Sequence, residues 1–160
     1  MNQEFLDIFN LYKNDVFRLA YSYTKNVADA EDIAQKVFIK LYKNLPQIKD
    51  CDSLKKWCFR VAINECKDLS LSAWKKKIFP ITPIIENDNV LEKVTEKNEV
   101  LDAIEKLPKK ERSLIYLYYY EEYKIKEIAE ILNVKETTIQ TRLARAREKL
   151  KTILEKGKCS

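Results

Sequence analysis

Residues 127–150 read EIAEILNVKETTIQTRLARAREKL. Counted at about 100° per residue from Ile139, the residues Leu143, Ala146, Leu150 and Ile153 fall within about 40° of one line, the seam of a helix packed on a small core. Opposite that seam stand Thr137, Thr138, Thr141, Ala144 and Arg145, with Arg142 and Arg147 on the shoulders. Short side chains let such a helix approach base edges closely, and flanking arginines can reach phosphates on either wall of a groove. The preceding IKEIAEIL (125–132) is a short amphipathic helix whose small Ala129 permits a close helix crossing. Asn133 tolerates the left-handed conformation that a sharp turn requires. Val134 is then expected in the core, and Glu136 in the first turn of the second helix, favourably placed against its dipole. The unit reads as a helix-turn-helix.

Composition narrows the rest. The chain has 160 residues, 46% hydrophobic, enough for helical cores. No apolar run approaches the ~20 residues of a membrane span, and MNQEFLDIFN lacks the basic start and small-residue cleavage site of a signal peptide. A cytosolic protein is expected. There is no histidine, and the four cysteines (Cys51, Cys58, Cys66, Cys159) form no C-x-x-C pair. Neither a zinc site nor a disulfide framework is favoured, and free, buried or semi-buried thiols are the better reading. A single glycine, Gly157, argues against phosphate-cradling loops, which need several at set spacing. With no histidine base and no activated nucleophile in a recognisable spacing, a binding protein without catalytic residues, cofactor or metal is expected.

Charge is concentrated. Residues 133–160 carry eight basic and three acidic side chains, the whole net charge of +5, while residues 1–132 are balanced. Such a concentration on one helix and its tail is the electrostatic footprint of a nucleic-acid surface.

Helical spacing of Phe5, Ile8, Phe9, Tyr12, Val16, Leu19, Ala20 and Tyr23 predicts a first helix ending near Lys25 and Asn26, and residues 28–45 predict a second. Pro46 breaks the pattern, and Ser53 can cap a third helix running through Trp57, Val61 and Ile63 toward Trp74. Residues 78–97 fit neither helical nor strand period and hold four acidic and two basic residues. They read as an acidic tether between domains 1–77 and 98–160. In the second domain a helix through Leu107, a break at Pro108 and a helix over 110–120 precede the helix-turn-helix. The fold class expected is all-α, two small helical domains.

The first domain carries two unusual surfaces. Asp29 and Asp32, three residues apart at the start of the second helix, resemble a capping box. That does not account for Glu31 and Gln35, one turn apart on a side that misses the apolar stripe Ala30, Ile33, Val37 and Leu41. A partner-docking surface would use them. The second surface, residues 49–77, holds eight basic and four acidic residues interleaved with Trp57, Phe59 and Trp74, a pattern suited to unstacked single strands. Trp57, Val61 and Phe59 lie on an apolar stripe and read as packing, which leaves Arg60, Asn64 and Lys67 as the polar candidates.

In this order, DAEDIAQKVF (29–38), WCFRVAINECKD (57–68), LPKKER (107–112) and the terminal TRLARAREKL resemble the extracytoplasmic-function (ECF) group of bacterial RNA polymerase sigma factors, two-domain members holding only sigma regions 2 and 4. The resemblance covers nearly the whole chain. It implies that Asp29, Glu31, Asp32 and Gln35 dock on core RNA polymerase. It further implies that Asp50, Asp52, Ser53, Arg60, Asn64 and Lys67 meet the single-stranded minus-10 element, where DNA is melted and a base captured. Glu136, Thr137, Thr138, Gln140, Thr141, Arg142, Ala144 and Arg145 would meet the duplex minus-35 element. An alternative sigma factor starting transcription of a stress or envelope regulon, held by an anti-sigma factor that is often membrane-anchored, is what the resemblance implies.

Departures are local. Lys124 and Ile125 replace the serine-type start usual before the scaffold helix, Asn133 stands where glycine is frequent, and Leu69 to Ala73 intervene before the Lys75 to Lys77 run. Gln140 and Ala144 offer no cationic reader, so specificity would lean on an amide–adenine contact and DNA shape. Two other readings stand beside this one. A homodimeric helix-turn-helix regulator would need an apolar self-interface or sensor pocket in the first domain, and an enzyme acting on nucleic acid would need clustered carboxylates for metal ions or a general base, for which Asp29, Glu31 and Asp32, at a helix start with no histidine or partner carboxylate, are poor candidates.

Overall fold

A computed structural model of the chain describes residues 3–45, 51–75 and 99–158. The tether at 78–97 and Asp50 lie outside the described residues, as do the side chains of Asp52 and Trp74. Every regular element among the described residues is helical, as the apolar periodicity predicts. The chain divides into two compact units, Met1–Glu86 and Asn87–Ser160.

In the first unit, α1 (Gln3–Thr24), α2 (Val27–Asn44) and α3 (Cys51–Lys75) pack pairwise into a three-helix bundle. Its core is built from Val16, Leu19 and Ala20 of α1, Ala30, Ile33, Val37 and Leu41 of α2, and Leu54, Cys58, Phe59, Ala62, Ile63 and Cys66 of α3. The α1–α2 corner depends on two local devices. Lys25 adopts a left-handed φ of 55° and stops α1. Asn26, extended at φ −137°, accepts the Asp29 N–H on its side-chain oxygen at 2.9 Å.

Asn26 is therefore the N-cap, and the expected capping box of Asp29 and Asp32 is not what starts α2: the helix begins two residues before Asp29. Asn26, three residues before Asp29, has the same capping chemistry and is the residue whose backbone is extended there. Removing that acceptor in Asn26→Ala leaves a helix-start donor without its partner, and should lower the stability of the first unit by about 1 kcal/mol in urea titration. Ser53 likewise lies inside the first turn of α3 and does not cap it.

In the second unit, α4 (Glu99–Glu105) and α5 (Lys109–Ile115) flank the predicted break at Pro108. The LPKKER segment has a structural account. Pro108 starts α5, Arg112 donates to the Leu107 carbonyl at 2.6 Å, and Glu111 accepts from Lys149 at 2.8 Å. Beyond Ile115 the expected α-helix widens into a π-helix, Tyr116–Tyr120, with Glu121 N–H bonded five residues back to the Tyr116 carbonyl at 3.1 Å.

The helices α6 (Ile125–Leu132) and α7 (Glu136–Lys158) then pack on each other. Asn133 takes the left-handed conformation anticipated for the turn, φ 54° and ψ 50°. Its own N–H bonds the Ala129 carbonyl, and the Val134 N–H reaches that same oxygen at 3.1 Å, closing the α6 C-terminus. Val134 itself is half-buried where a core position was expected. At the α6 start, the Glu127 carboxylate accepts the Lys124 N–H at 3.2 Å. This is half of a capping box, since a lysine has no acceptor for the reciprocal bond.

Candidate nucleic-acid and polymerase interface

On α7 the predicted division holds. Ile139, Leu143 and Ala146 are buried, Leu150 and Ile153 half-buried. Glu136, Thr137, Gln140, Thr141, Ala144 and Arg145 are exposed, with Thr138 and Arg142 partly so. Thr141 turns its hydroxyl back to the Thr137 carbonyl at 3.0 Å. Arg147, expected on a shoulder of this face, makes contacts of its own. Arg147 Nε donates to the Tyr119 hydroxyl at 2.7 Å, and its guanidinium lies 5.2 Å from the Tyr118 ring centre and 5.7 Å from that of Tyr119. The hydrogen bond to Tyr119 is the largest influence favouring the charged guanidinium. Arg147 thus ties α7 to the π-helix, and Lys149 ties α7 to Glu111 of α5.

On α3, Ser53, Arg60, Asn64 and Lys67 are all exposed and Lys56 partly so. At about 100° per residue they fall on one side of the helix, and the 14 rises from Ser53 to Lys67 make that face roughly 21 Å long. Behind it lies the buried line Leu54, Cys58, Ala62 and Cys66. Phe59 is fully buried, as the stripe implies, while Trp57 and Val61 are half-buried at its edge. Lys55 anchors α3 to α1, its ammonium 3.6 Å from Asp15 and over the rings of Tyr12 and Phe59. Cys58 and Cys66 are free thiols, and burial pushes both up to about 12. That withholds the reactive thiolate at neutral pH.

On α2, Glu31, Asp32 and Gln35 are exposed together, Asp32 paired with Lys36 at 3.1 Å. Asp29 is set apart from them. It is half-buried, and desolvation followed by the neighbouring Asp32 carboxylate raises its pKa. Sequence reasoning missed Ile39 and Tyr42, which are 55% and 52% exposed. One and two turns beyond Gln35 they extend the Glu31–Gln35 stripe and, with Phe5, Phe9, Phe38 and Lys43, line an apolar groove of about 480 Å³. The signal was present: neither residue fits the buried stripe Ala30–Ile33–Val37–Leu41, so two large apolar side chains were left facing outward. Among the described residues, no group of His, Cys, Asp and Glu could hold a metal ion, and no helix is long and apolar enough to cross a membrane.

Comparison with known proteins fits this geometry. Residues 8–76 match the model of sigma-70 region 2, and residues 97–150 that of sigma-70 region 4. The ECF RNA polymerase sigma factor SigW of Bacillus subtilis is 31% identical over 92% of this chain and 87% of its own length. SigM of the same organism, also an ECF RNA polymerase sigma factor, is 30% identical over 94% of this chain and 95% of its own. The fold resembles that of the sigma factor RpoE, solved in complex with the anti-sigma factor NepR from Bartonella quintana. There the TM-score is 0.74 at 19% identity, covering 96% of this chain and 98% of that one. Carrying both regions in order, and matching SigW and SigM along nearly its full length, the chain belongs to the ECF group of RNA polymerase sigma factors.

Proposed function

We propose that this chain binds core RNA polymerase and directs it to promoters, with residues 1–77 serving docking and the minus-10 element and residues 98–160 the minus-35 element. The observation that carries this reading is α3. Its exposed line Ser53, Arg60, Asn64 and Lys67 is polar and cationic along roughly 21 Å, backed by a buried apolar line that fixes its direction. Such a face suits a melted strand, whose phosphates meet cations and whose bases find amide and hydroxyl partners. Asp50 and Asp52 belong to the same assignment by sequence alone.

Glu31, Asp32 and Gln35 are the docking residues, with Asp29 supporting them from the α2 start, and exposed Ile39 and Tyr42 give that surface an apolar continuation. Glu136, Thr137, Thr138, Gln140, Thr141, Arg142, Ala144 and Arg145 are the minus-35 contacts. Acidic and amide groups on α2 favour a polymerase element carrying basic residues, whereas the basic α7 favours duplex phosphates. The chain acts without catalytic groups of its own. An anti-sigma factor is its regulatory partner in this reading, of the kind that RpoE meets in its complex with NepR.

The test is run-off transcription with purified bacterial core polymerase on randomised promoter DNA. Specific initiation is expected, and Gln35→Ala or Asp32→Ala should reduce it with the fold intact. Tight duplex binding by the isolated protein, with core polymerase left inert, would replace this reading with that of a conventional helix-turn-helix regulator.

A further inference from the structure

Two functional faces of the first unit lie on different helices, docking on α2 and strand binding on α3, and one ion pair sits between them. Lys40 of α2 donates to the carboxylate of Glu65 on α3. On a helical wheel Lys40 is about 140° from Gln35, and Glu65 about 100° from Asn64. Each is therefore turned away from its own functional stripe and toward the neighbouring helix. Lys40 is exposed, but the Glu65 side chain is only 12% accessible. A carboxylate so enclosed requires a partner more than a surface glutamate does, because its hydration is already largely lost.

We infer that Lys40 and Glu65 are positioning residues for promoter opening, fixing the angle between the polymerase-docking helix and the strand-binding face. The inference rests on the functional reading given above. Polymerase holds α2, the displaced strand is held by α3, and any play between the helices is lost from the precision with which Arg60 and Asn64 meet a base. Lys40 and Glu65 act through the two helices and not by touching polymerase or DNA.

The measurement uses holoenzyme assembled from core polymerase and the full chain, with 2-aminopurine in the minus-10 element reporting opening. Core affinity and thermal unfolding are measured alongside. Lys40→Met and Glu65→Gln alter local charge in opposite senses, so a purely electrostatic effect on DNA would move opening in opposite directions. Positioning requires both to lower it, by about threefold to fivefold, with core affinity little changed and both variants still folded at the assay temperature. The exchange Lys40→Glu with Glu65→Lys should recover most of the loss. Opposite shifts in the two single variants, opening equal to that of the unaltered protein, or loss explained by unfolding would each overturn the inference. If the unaltered holoenzyme opens no promoter, the functional reading itself fails and this inference with it. If it opens promoters and the variants match it, only the inference fails.

Discussion

Phe59→Ala should destabilise the first unit by about 3–5 kcal/mol, the range for deleting a fully buried aromatic ring from a core that cannot collapse around the gap. Phe59 is among the largest side chains with no measurable exposure, and Lys55 stacks its ammonium over the ring while pairing with Asp15 of α1. The substitution thus removes packing between helices and one support of an interhelical ion pair. Because both tryptophans, Trp57 and Trp74, lie in residues 1–77, urea unfolding followed by tryptophan fluorescence reads this unit without a contribution from the other. A loss below about 1 kcal/mol would mean that the ring is not a keystone of the bundle. A small domain has little stability to spare, so strand binding and docking should fail together in this variant, in contrast to the selective loss expected at Lys40.

The second large effect is expected on α7. Arg145→Ala should weaken binding of holoenzyme to minus-35 duplex by about tenfold to a hundredfold, consistent with about 1–3 kcal/mol for a direct arginine contact with a base pair. The loss should be concentrated at one promoter position. Arg147→Ala should behave differently: its guanidinium is engaged by Tyr118 and Tyr119, so DNA affinity should change less than about twofold while the second unit loses stability. Competition titrations with singly substituted duplexes at two salt concentrations separate the cases. A uniform loss for Arg145→Ala, with a salt slope smaller by about one, would make it a phosphate contact instead. An Arg147→Ala loss equal to that of Arg145→Ala would show that the tyrosine contacts yield to DNA.

What could be read from the residues alone was whatever one helix determines by its own phase. The buried seam of α7 and the stripe of α2 follow from spacing, and Asn133 follows from the small set of residues that accept a left-handed turn. The sigma-type organisation was legible because four motifs stand in order. What escaped were contacts between helices. Lys40 and Glu65 are 25 residues apart, Arg147 and Tyr119 are 28 apart, and Lys149 and Glu111 are 38 apart. Nothing in a helical wheel says which neighbour a shoulder lysine or arginine will meet, so the tyrosine contacts of Arg147 could not be read from the residues alone. The cap of α2 escaped for a different reason. Asn26, Asp29 and Asp32 all have capping chemistry, and backbone geometry rather than residue type chose Asn26.

The π-helix at Tyr116–Tyr120 has a bearing on how chain length can vary. Such a segment holds one more residue than an α-helix closing the same turn. A chain one residue shorter here could bridge the same span with ordinary four-residue bonds, so this is a place where the fold can absorb an insertion or a deletion. In α7 the same deletion would rotate every later side chain by about 100°, bringing the seam of Leu143 and Ala146 out to solvent. Changes in length should therefore accumulate in the tyrosine run and be purged from α7, leaving the scaffold to drift in length while the exposed face of α7 keeps its phase.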